Sequence, residues 1–167
     1  MKMSIGTVFI VLGAALVAIL PGIGSAKGTS LVGQAAAGVV AEDASKFGKV
    51  LILEVLPGTQ GLYGFITAIL LFTTTGIMGG NPVAYEWWQG LCYFAACMPM
   101  MIVGLLSAIA QAKAAVAGVG IVAKNPEQSG KAIIFAAMVE TYAVLALLIS
   151  ILAIFNVDSV ISFFMGA

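Results

Sequence analysis

The sequence predicts an all-α membrane protein whose four transmembrane helices form two duplicated hairpins. Three observations support this fold class: the composition, four long apolar segments, and an internal repeat. Hydrophobic residues make up 62% of the 167 residues and charged residues 8%, with a mean hydropathy of +1.14, whereas a soluble domain carries about 25% charged residues. In lipid only helices and closed barrels satisfy the backbone, and the two-residue alternation of barrel strands is absent. The net charge of +0 gives no indication of nucleic-acid binding.

The apolar segments give the order of the elements. They cover residues 4–41, 47–76, 86–123 and 130–164, with a potential break near Asn156. Each segment is longer than the roughly 20 residues that a span requires, so the ends should protrude or the helices should tilt. The polar break that separates the second segment from the third contains the loop-type proline Pro82. The predicted organisation is a first hairpin over 1–78, a connecting loop over 79–85 and a second hairpin over 86–167.

The two hairpins are repeats of each other. A shift of 82 residues aligns the chain with itself from residue 22 to residue 70 without a gap. The matched pairs include Gly22 with Gly104, Ser25 with Ser107, and Gly48-Lys49 with Gly130-Lys131. Chance matching of apolar residues would not preserve the loop length and the Gly-Lys pair, so both hairpins should share one orientation. In this register Glu140 matches Gly58, which leaves one deep carboxylate for the two hairpins.

The lysines predict which side of the membrane each loop faces. The chain has no arginine, and six of its seven lysines lie toward the loops inside the two hairpins: Lys27, Lys46, Lys49, Lys113, Lys124 and Lys131. The positive-inside rule then places both hairpin loops in the cytoplasm and both termini outside. The apolar run after Lys2 resembles a signal peptide, but it forms the start of the first of the two duplicated hairpins, which argues against its removal.

Small residues distinguish the first and third segments, whereas the second and fourth carry bulkier side chains. Gly, Ala and Ser at three- and four-residue spacing allow helices to approach closely in lipid. The difference favours an inner layer of small-residue helices and an outer layer of bulkier ones, as in a ring of identical copies. Ordinary packing within a single bundle is the alternative.

Glu140 is the main candidate for a functional residue. No other charged residue occurs between Ala132 and Phe155. A carboxylate at bilayer depth costs about 3 kcal/mol on insertion scales, and such groups commonly serve ion or proton movement. A structural acid that stays protonated is the alternative.

Polar residues that can surround Glu140 occur on two other segments. Leu56, Thr59, Gln60 and Tyr63 share one helical face, because they follow the i, i+3, i+4, i+7 spacing. The third segment adds Gln111. Pro57 and Gly58 lie between Leu56 and Thr59 on the second segment. They loosen the helix there and can expose a backbone carbonyl oxygen, because proline lacks the backbone N–H donor.

The chemistry of this set favours a monovalent cation. Carboxylate, carbonyl, amide and hydroxyl oxygens suit hard cations, and a divalent ion would require more carboxylates. The residues therefore predict a Na⁺ site, with Tyr63 donating a hydrogen bond to the carboxylate and H⁺ as the alternative cargo. The candidate oxygen donors are Thr59, Gln60, Gln111 and Glu140, together with one backbone carbonyl of the loosened turn. Interhelical hydrogen bonding without an ion is the other interpretation of Thr59, Gln60 and Gln111.

These residues resemble the proteolipid ring subunit of V-type ATPases, the c or K subunit, and are closest to its bacterial Na⁺-translocating members. The resemblance covers nearly the whole chain, and its most specific parts are LPGTQGLYGF over residues 56–65 and IFAAMVETYA over 134–143. A third part is GSAKG over 24–28, with its repeat from Ser107 to Lys113.

The resemblance implies a homo-oligomeric rotor ring in a bacterial plasma membrane. It implies that the Leu56 carbonyl, Thr59, Gln60, Gln111 and Glu140 bind Na⁺, with Tyr63 bonded to Glu140. The implied partners are identical copies, membrane lipid, a stator membrane subunit whose essential arginine displaces the ion, and a central stalk on the cytoplasmic loops. ATP hydrolysis or synthesis would occur in a separate soluble head, so the chain itself would be no enzyme and would need no organic cofactor.

Glu54 departs from the family pattern, in which glutamine or an apolar residue is expected. It lies one helical turn before Gly58. A solvated or paired acid is the simpler interpretation, and a second transported ion is the bolder one.

Two other classes of protein compete with a rotor subunit. A small four-helix drug/proton antiporter would carry its acid in the first helix and show no duplication. A membrane channel or assembly protein would not need polar groups around the acid. An autonomous enzyme is disfavoured, because the chain has no histidine, metal-ligand cluster, nucleophile constellation or phosphate-binding loop.

Overall fold

The computed structural model describes residues 4–79 and 84–165, so Lys2 and Pro82 lie outside the described residues. The described part is helical, as predicted. Its α-helices are α1 (Ile5–Glu42), α2 (Phe47–Val55), α3 (Thr59–Thr74), α4 (Trp87–Lys124) and α5 (Ser129–Met165).

Four helical stretches in the described residues are long and apolar enough to cross a membrane: Ile5–Glu42, Ala44–Thr74, Trp87–Lys124 and Pro126–Phe163. The second combines α2 and α3, which the tight turn Leu56–Gly58 joins. At a rise of about 1.5 Å per residue, a 38-residue helix such as α1 is about 57 Å long, whereas the hydrocarbon core is about 30 Å thick. The helix ends therefore extend beyond the hydrocarbon or tilt, as the segment lengths predict.

The loops of the two hairpins lie side by side at the same end of the bundle. The Lys46 ammonium donates to the carbonyl of Ala123 at 3.0 Å, and Lys49 pairs with Glu127 at 3.5 Å. These contacts join the first hairpin to the loop of the second. The two hairpins are therefore parallel to each other, in agreement with the repeat.

The first hairpin loop is closed by Asp43. Its side chain accepts hydrogen bonds from the Ser45 hydroxyl at 2.7 Å and from the Ser45 backbone N–H at 3.0 Å. These two bonds lower the pKa of Asp43 below its usual value. The exposed loop thus keeps its compact turn with a charged carboxylate at neutral pH.

The small-residue helices α1 and α4 pack backbone to backbone along their length. A Cβ atom at Gly24 would lie 2.7 Å from the Leu105 carbonyl oxygen, and one at Gly28 would lie 3.1 Å from the Ala108 carbonyl oxygen. At the loop-distal end Gly90 meets the backbone of Gly6. The predicted close approach of the first and third segments is therefore present within one chain.

The predicted break near Asn156 is wrong, because α5 runs through this residue to Met165. The Asn156 side-chain amide donates to the Leu152 carbonyl of its own helix at 2.8 Å, so it does not interrupt the helix. Ile154 and Val157 are buried on either side. Next along the helix, Asp158 accepts a hydrogen bond of 2.8 Å from the buried Tyr93 phenol of α4.

The Tyr93–Asp158 bond should hold the last turns of α5 against α4. Replacing Tyr93 with phenylalanine is expected to weaken this end by about 1.5–3 kcal/mol, the usual contribution of a hydrogen bond to a charged group. Hydrogen exchange of the amides around residues 156–163 should accelerate, while exchange around Glu140 stays unchanged. Asp158→Asn is the matched control, because it keeps an acceptor oxygen. Equal protection in wild type and Tyr93→Phe would contradict this role.

Candidate ion-binding site

The site begins at the turn Leu56–Gly58, where the second span is interrupted. The Thr59 hydroxyl donates to the Leu56 carbonyl oxygen at 3.0 Å. On the neighbouring helix α1, the Ser25 hydroxyl oxygen accepts a 2.8 Å hydrogen bond from the Gly61 backbone N–H. The proline-containing turn is thus stabilised by side chains in place of a regular helical ladder.

A continuous chain of side-chain hydrogen bonds leads from this turn to Glu140. The Thr59 hydroxyl, whose one proton is shared with the Leu56 carbonyl, lies 3.4 Å from the Gln60 amide oxygen, and the Gln60 amide nitrogen donates to the Gln111 amide oxygen at 2.6 Å. The Gln111 nitrogen in turn reaches the Ala136 carbonyl at 3.2 Å and a Glu140 carboxylate oxygen at 3.5 Å. Gln60 and Gln111 are both 0% exposed. Buried amides of this kind stay in place only when they are hydrogen-bonded.

The second oxygen of Glu140 accepts a hydrogen bond from the Tyr63 phenol at 2.5 Å. This distance is at the short end for an O–H donor on a carboxylate. Glu140 is only partly buried. It lines an open cavity of about 400 Å³ on the bundle surface, together with Ala137, Thr141, Val144 and Leu145. The carboxylate is therefore held from inside the bundle and remains accessible from outside.

The structure brings all the sequence-predicted site residues into one connected network. They are the Leu56 carbonyl, Thr59, Gln60, Tyr63, Gln111 and Glu140. Three spans contribute: the interrupted second span, α4 and α5. Glu54 lies elsewhere, beside Gly33 of α1. Convergence is an observed feature of the fold, whereas ion binding at these residues stays a prediction.

Two groups of the site were not predicted from the sequence. Ser25 accepts from the N–H of Gly61, and the backbone carbonyl of Ala136 accepts from Gln111. Ser25 had a visible signal, since it lies in the GSAKG motif and repeats as Ser107. The Ala136 carbonyl had none, because any residue type supplies that acceptor.

The donor set offers one negative charge among neutral oxygens. Within the described residues, no group of three or more His, Cys, Asp or Glu side chains is placed to hold a metal. A single carboxylate with hydroxyl, amide and carbonyl oxygens suits a monovalent cation better than a divalent one. A half-turn of an amide exchanges its oxygen with its nitrogen, so Gln60 and Gln111 can present oxygen without moving their backbones.

The fold and site define a class: a duplicated four-span membrane proteolipid with one deep carboxylate. The model of the ATP synthase C-subunit family matches residues 12–71 and 94–153, two intervals offset by 82 residues. The chain belongs to this family, whose members are non-catalytic membrane rotor subunits.

Two relatives indicate where the chain lies within the family. It is 50% identical over 151 residues to the V-type sodium ATPase subunit K of Enterococcus hirae, covering 90% of this chain and 93% of that protein. It is 41% identical over 145 residues to the A-type ATP synthase subunit K of Methanocaldococcus jannaschii, covering 87% of this chain and 61% of that protein.

The comparisons confirm the resemblance to the proteolipid family and the duplicated-hairpin fold. The family match falls once on each hairpin, in the register that the sequence repeat predicts. The drug-antiporter alternative predicted no duplication and is therefore disfavoured.

Proposed function

We propose that this protein is the ion-carrying ring subunit of a V-type ATPase membrane rotor. Each copy binds one Na⁺ at Glu140 and moves it across the membrane as the ring rotates, coupled to ATP hydrolysis or synthesis. The observation that carries the proposal is the network that joins Glu140 to Tyr63 and Gln111. The sodium ATPase subunit among the relatives supports Na⁺ over the alternative, H⁺.

The proposed ligands are the Leu56 carbonyl, Thr59, Gln60, Gln111 and Glu140. The fit rests on donor chemistry, because every one of these groups can offer an oxygen to the ion. In the structure the Gln111 nitrogen faces Glu140, and a half-turn of this amide would direct its oxygen there. Tyr63 then holds the carboxylate in a fixed orientation through its phenol.

Ion binding at Glu140 would neutralise the only charge in the central part of α5. A neutral pair can pass a lipid-facing surface, whereas a bare carboxylate is costly there. The cavity beside Glu140 opens to the outside of the bundle, which gives a stator subunit access to the site. An arginine of that subunit would displace the ion by pairing with the carboxylate. Each monovalent ion moved against 100 mV costs about 2.3 kcal/mol.

The lysine distribution supports the orientation of the proposed ring. Lys46, Lys49, Lys124 and Lys131 lie at or near the two hairpin loops, which adjoin each other at one end of the bundle. We place this end in the cytoplasm of a bacterial cell, in accordance with the positive-inside rule. A central-stalk subunit would bind there and transmit rotation from the soluble head.

Removing the Tyr63 hydroxyl tests the proposed site. Tyr63→Phe is expected to weaken Na⁺ binding by roughly 10–100-fold, the usual effect of losing a hydrogen-bond partner of a ligand. The measurement is the Na⁺ concentration at half-maximal binding to the purified oligomer. Tyr93→Phe is the control, because it also removes a phenol–carboxylate bond but at the far end of the bundle. Unchanged affinity in Tyr63→Phe would contradict the proposed role of this bond.

A further inference from the structure

Glu54 lines a groove that the chain leaves open. The groove lies between α1 and α2, has a volume of about 270 Å³, and is bordered by Gly33, Ala36, Val50 and Glu54 among others. A Cβ atom at Gly33 would lie 2.8 Å from a Glu54 carboxylate oxygen, so glycine makes room for the acid. Among the described residues, none donates a hydrogen bond to Glu54. The partly buried carboxylate is thus open to a donor from another chain.

The equivalent groove of the second hairpin is filled by the first hairpin. In the 82-residue register, Ala36 corresponds to Gly118 and Val50 to Ala132. A Cβ atom at Gly118 would lie 3.1 Å from the Ala132 Cβ and 3.4 Å from a methyl carbon of Leu53. Leu53 of α2 is 0% exposed there. The packing of Leu53 into the α4–α5 groove thus shows, within one chain, how two such hairpins pack side by side.

The second hairpin carries the counterparts of the side chains that make this contact. Leu53 corresponds to Phe135, which is 62% exposed, and Gln60 corresponds to Tyr142, which is 66% exposed. Both lie on α5 and have no hairpin beside them within the described part of the chain. The second hairpin therefore has an exposed surface equivalent to the one with which the first hairpin packs against α4 and α5. Nothing in the described part of the chain covers this surface.

The same register indicates which exposed side chain of α5 would face Glu54 of another copy. Position 54 corresponds to Ala136. The carbonyl of Ala136 accepts from Gln111, whose amide oxygen accepts from Gln60. The side chain at position 60 is therefore joined to the backbone of position 136 through the single amide of Gln111. Its counterpart Tyr142 would end close to position 54 of another copy, and the longer tyrosine side chain extends further than glutamine.

We infer that α5 of a neighbouring copy occupies the α1–α2 groove, with Phe135 filling it and the Tyr142 phenol donating a hydrogen bond to the Glu54 carboxylate. The inference rests on the proposed ring and specifies which faces meet in it. The occupant is a second copy of this chain, because the chain's own first hairpin fills the equivalent groove in the same way. Glu54 is thereby an inter-subunit contact residue and carries no transported ion.

Paired cysteines test which faces meet. In a Cys92→Ala, Cys97→Ala background, Ala36→Cys with Phe135→Cys should form disulfides between copies on oxidation and give a ladder of covalent multimers in denaturing gels. The matched control is Gly118→Cys with Leu53→Cys, the equivalent positions within one chain, which should lose its thiols without forming a ladder. The native mass of the test variant and of the control variant is measured as well, to establish that each still forms the oligomer. If the oligomer is intact and the control oxidises while the test pair stays monomeric, the inferred interface is wrong. If the Cys92→Ala, Cys97→Ala parent itself forms no oligomer, the proposed ring fails.

Substitutions at Tyr142 and Glu54 test the hydrogen bond. Tyr142→Phe is expected to increase the rate of oligomer dissociation in SDS about tenfold, the effect of losing one hydrogen bond to a charged group. In the Glu54→Ala background the same substitution should have no further effect, because the acceptor is already missing. Glu54→Gln should dissociate more slowly than Glu54→Ala, since its amide keeps an acceptor oxygen. Na⁺ affinity should be the same in all four variants. If Tyr142→Phe accelerates oligomer dissociation equally in the wild-type and Glu54→Ala backgrounds, the inferred Tyr142–Glu54 hydrogen bond does not exist.

Discussion

Replacing Glu140 with glutamine is expected to abolish Na⁺-coupled transport by the assembled ATPase. Glutamine has nearly the same shape and can still accept a hydrogen bond from Tyr63, but it cannot neutralise a cation inside the bilayer. Because the ion loses its only charged ligand, its affinity is expected to fall at least about 100-fold, which corresponds to about 2.8 kcal/mol. The measurement is ATP-driven ²²Na⁺ uptake into vesicles that contain the complete complex. The ring should still assemble, because Glu140 is partly exposed and lies outside the closely packed α1–α4 contact.

Glu54→Gln is the matched control for this experiment. It removes a different carboxylate, on α2, that has no hydrogen bond to the Glu140 network. Transport should persist in Glu54→Gln. Transport that survives in Glu140→Gln but stops in Glu54→Gln would mean that Glu140 does not carry the ion.

Enlarging Gly24 should have the largest effect on stability. A Cβ atom at this position would lie 2.7 Å from the Leu105 carbonyl oxygen and 3.0 Å from the Leu105 Cα. Both are backbone atoms, so the helices themselves would have to separate. Gly24→Val is therefore expected to lower the free energy of unfolding by about 3 kcal/mol, the upper end of the usual cost of overpacking. The measurement is an unfolding titration with SDS in mixed micelles, followed by helix content.

Gly38→Val provides the comparison on the same helix. Nothing lies within 4 Å of a Cβ atom at Gly38, and the same is true of its repeat counterpart Gly120. The substitution should be neutral or slightly stabilising, because glycine inside a helix costs up to about 1 kcal/mol relative to alanine and valine recovers part of that cost. Similar destabilisation at both positions would indicate that α1 does not pack on α4 as described.

Much of the fold could be predicted from the sequence, because the hydropathy pattern and the repeat each extend over many residues and do not depend on any single side chain. A polar break such as Lys124 to Glu127 can only be a loop between apolar spans, and the duplication fixes the parallel arrangement of the hairpins. The potential break near Asn156 could not be judged from the residue type alone. Asparagine interrupts a helix when its side chain competes for the backbone, but here it bonds back to the Leu152 carbonyl of the same helix.

The site was also largely predictable, since its parts are polar residues in an apolar background. Gln60 and Gln111 are conspicuous in the sequence because each is an amide deep inside a span. The order of the contacts was not predictable: Gln111 bridges to both Glu140 and the Ala136 carbonyl, and that depends on how α4 and α5 are rotated. The place of Glu54 likewise required the structure, because its groove is defined by Gly33 on another helix.

Competition between Na⁺ and a proton for the carboxylate of Glu140 is the core of the proposed function. The sharpest test is the rate at which a carbodiimide modifies Glu140 in the purified oligomer, measured with and without Na⁺ across a range of pH. The reagent attacks the protonated carboxyl, so a bound cation should block it. The proposed function predicts that millimolar Na⁺ slows modification and that this protection weakens as the pH falls. Modification that depends on pH alone, with no effect of Na⁺, would contradict the Na⁺ site and identify H⁺ as the cargo.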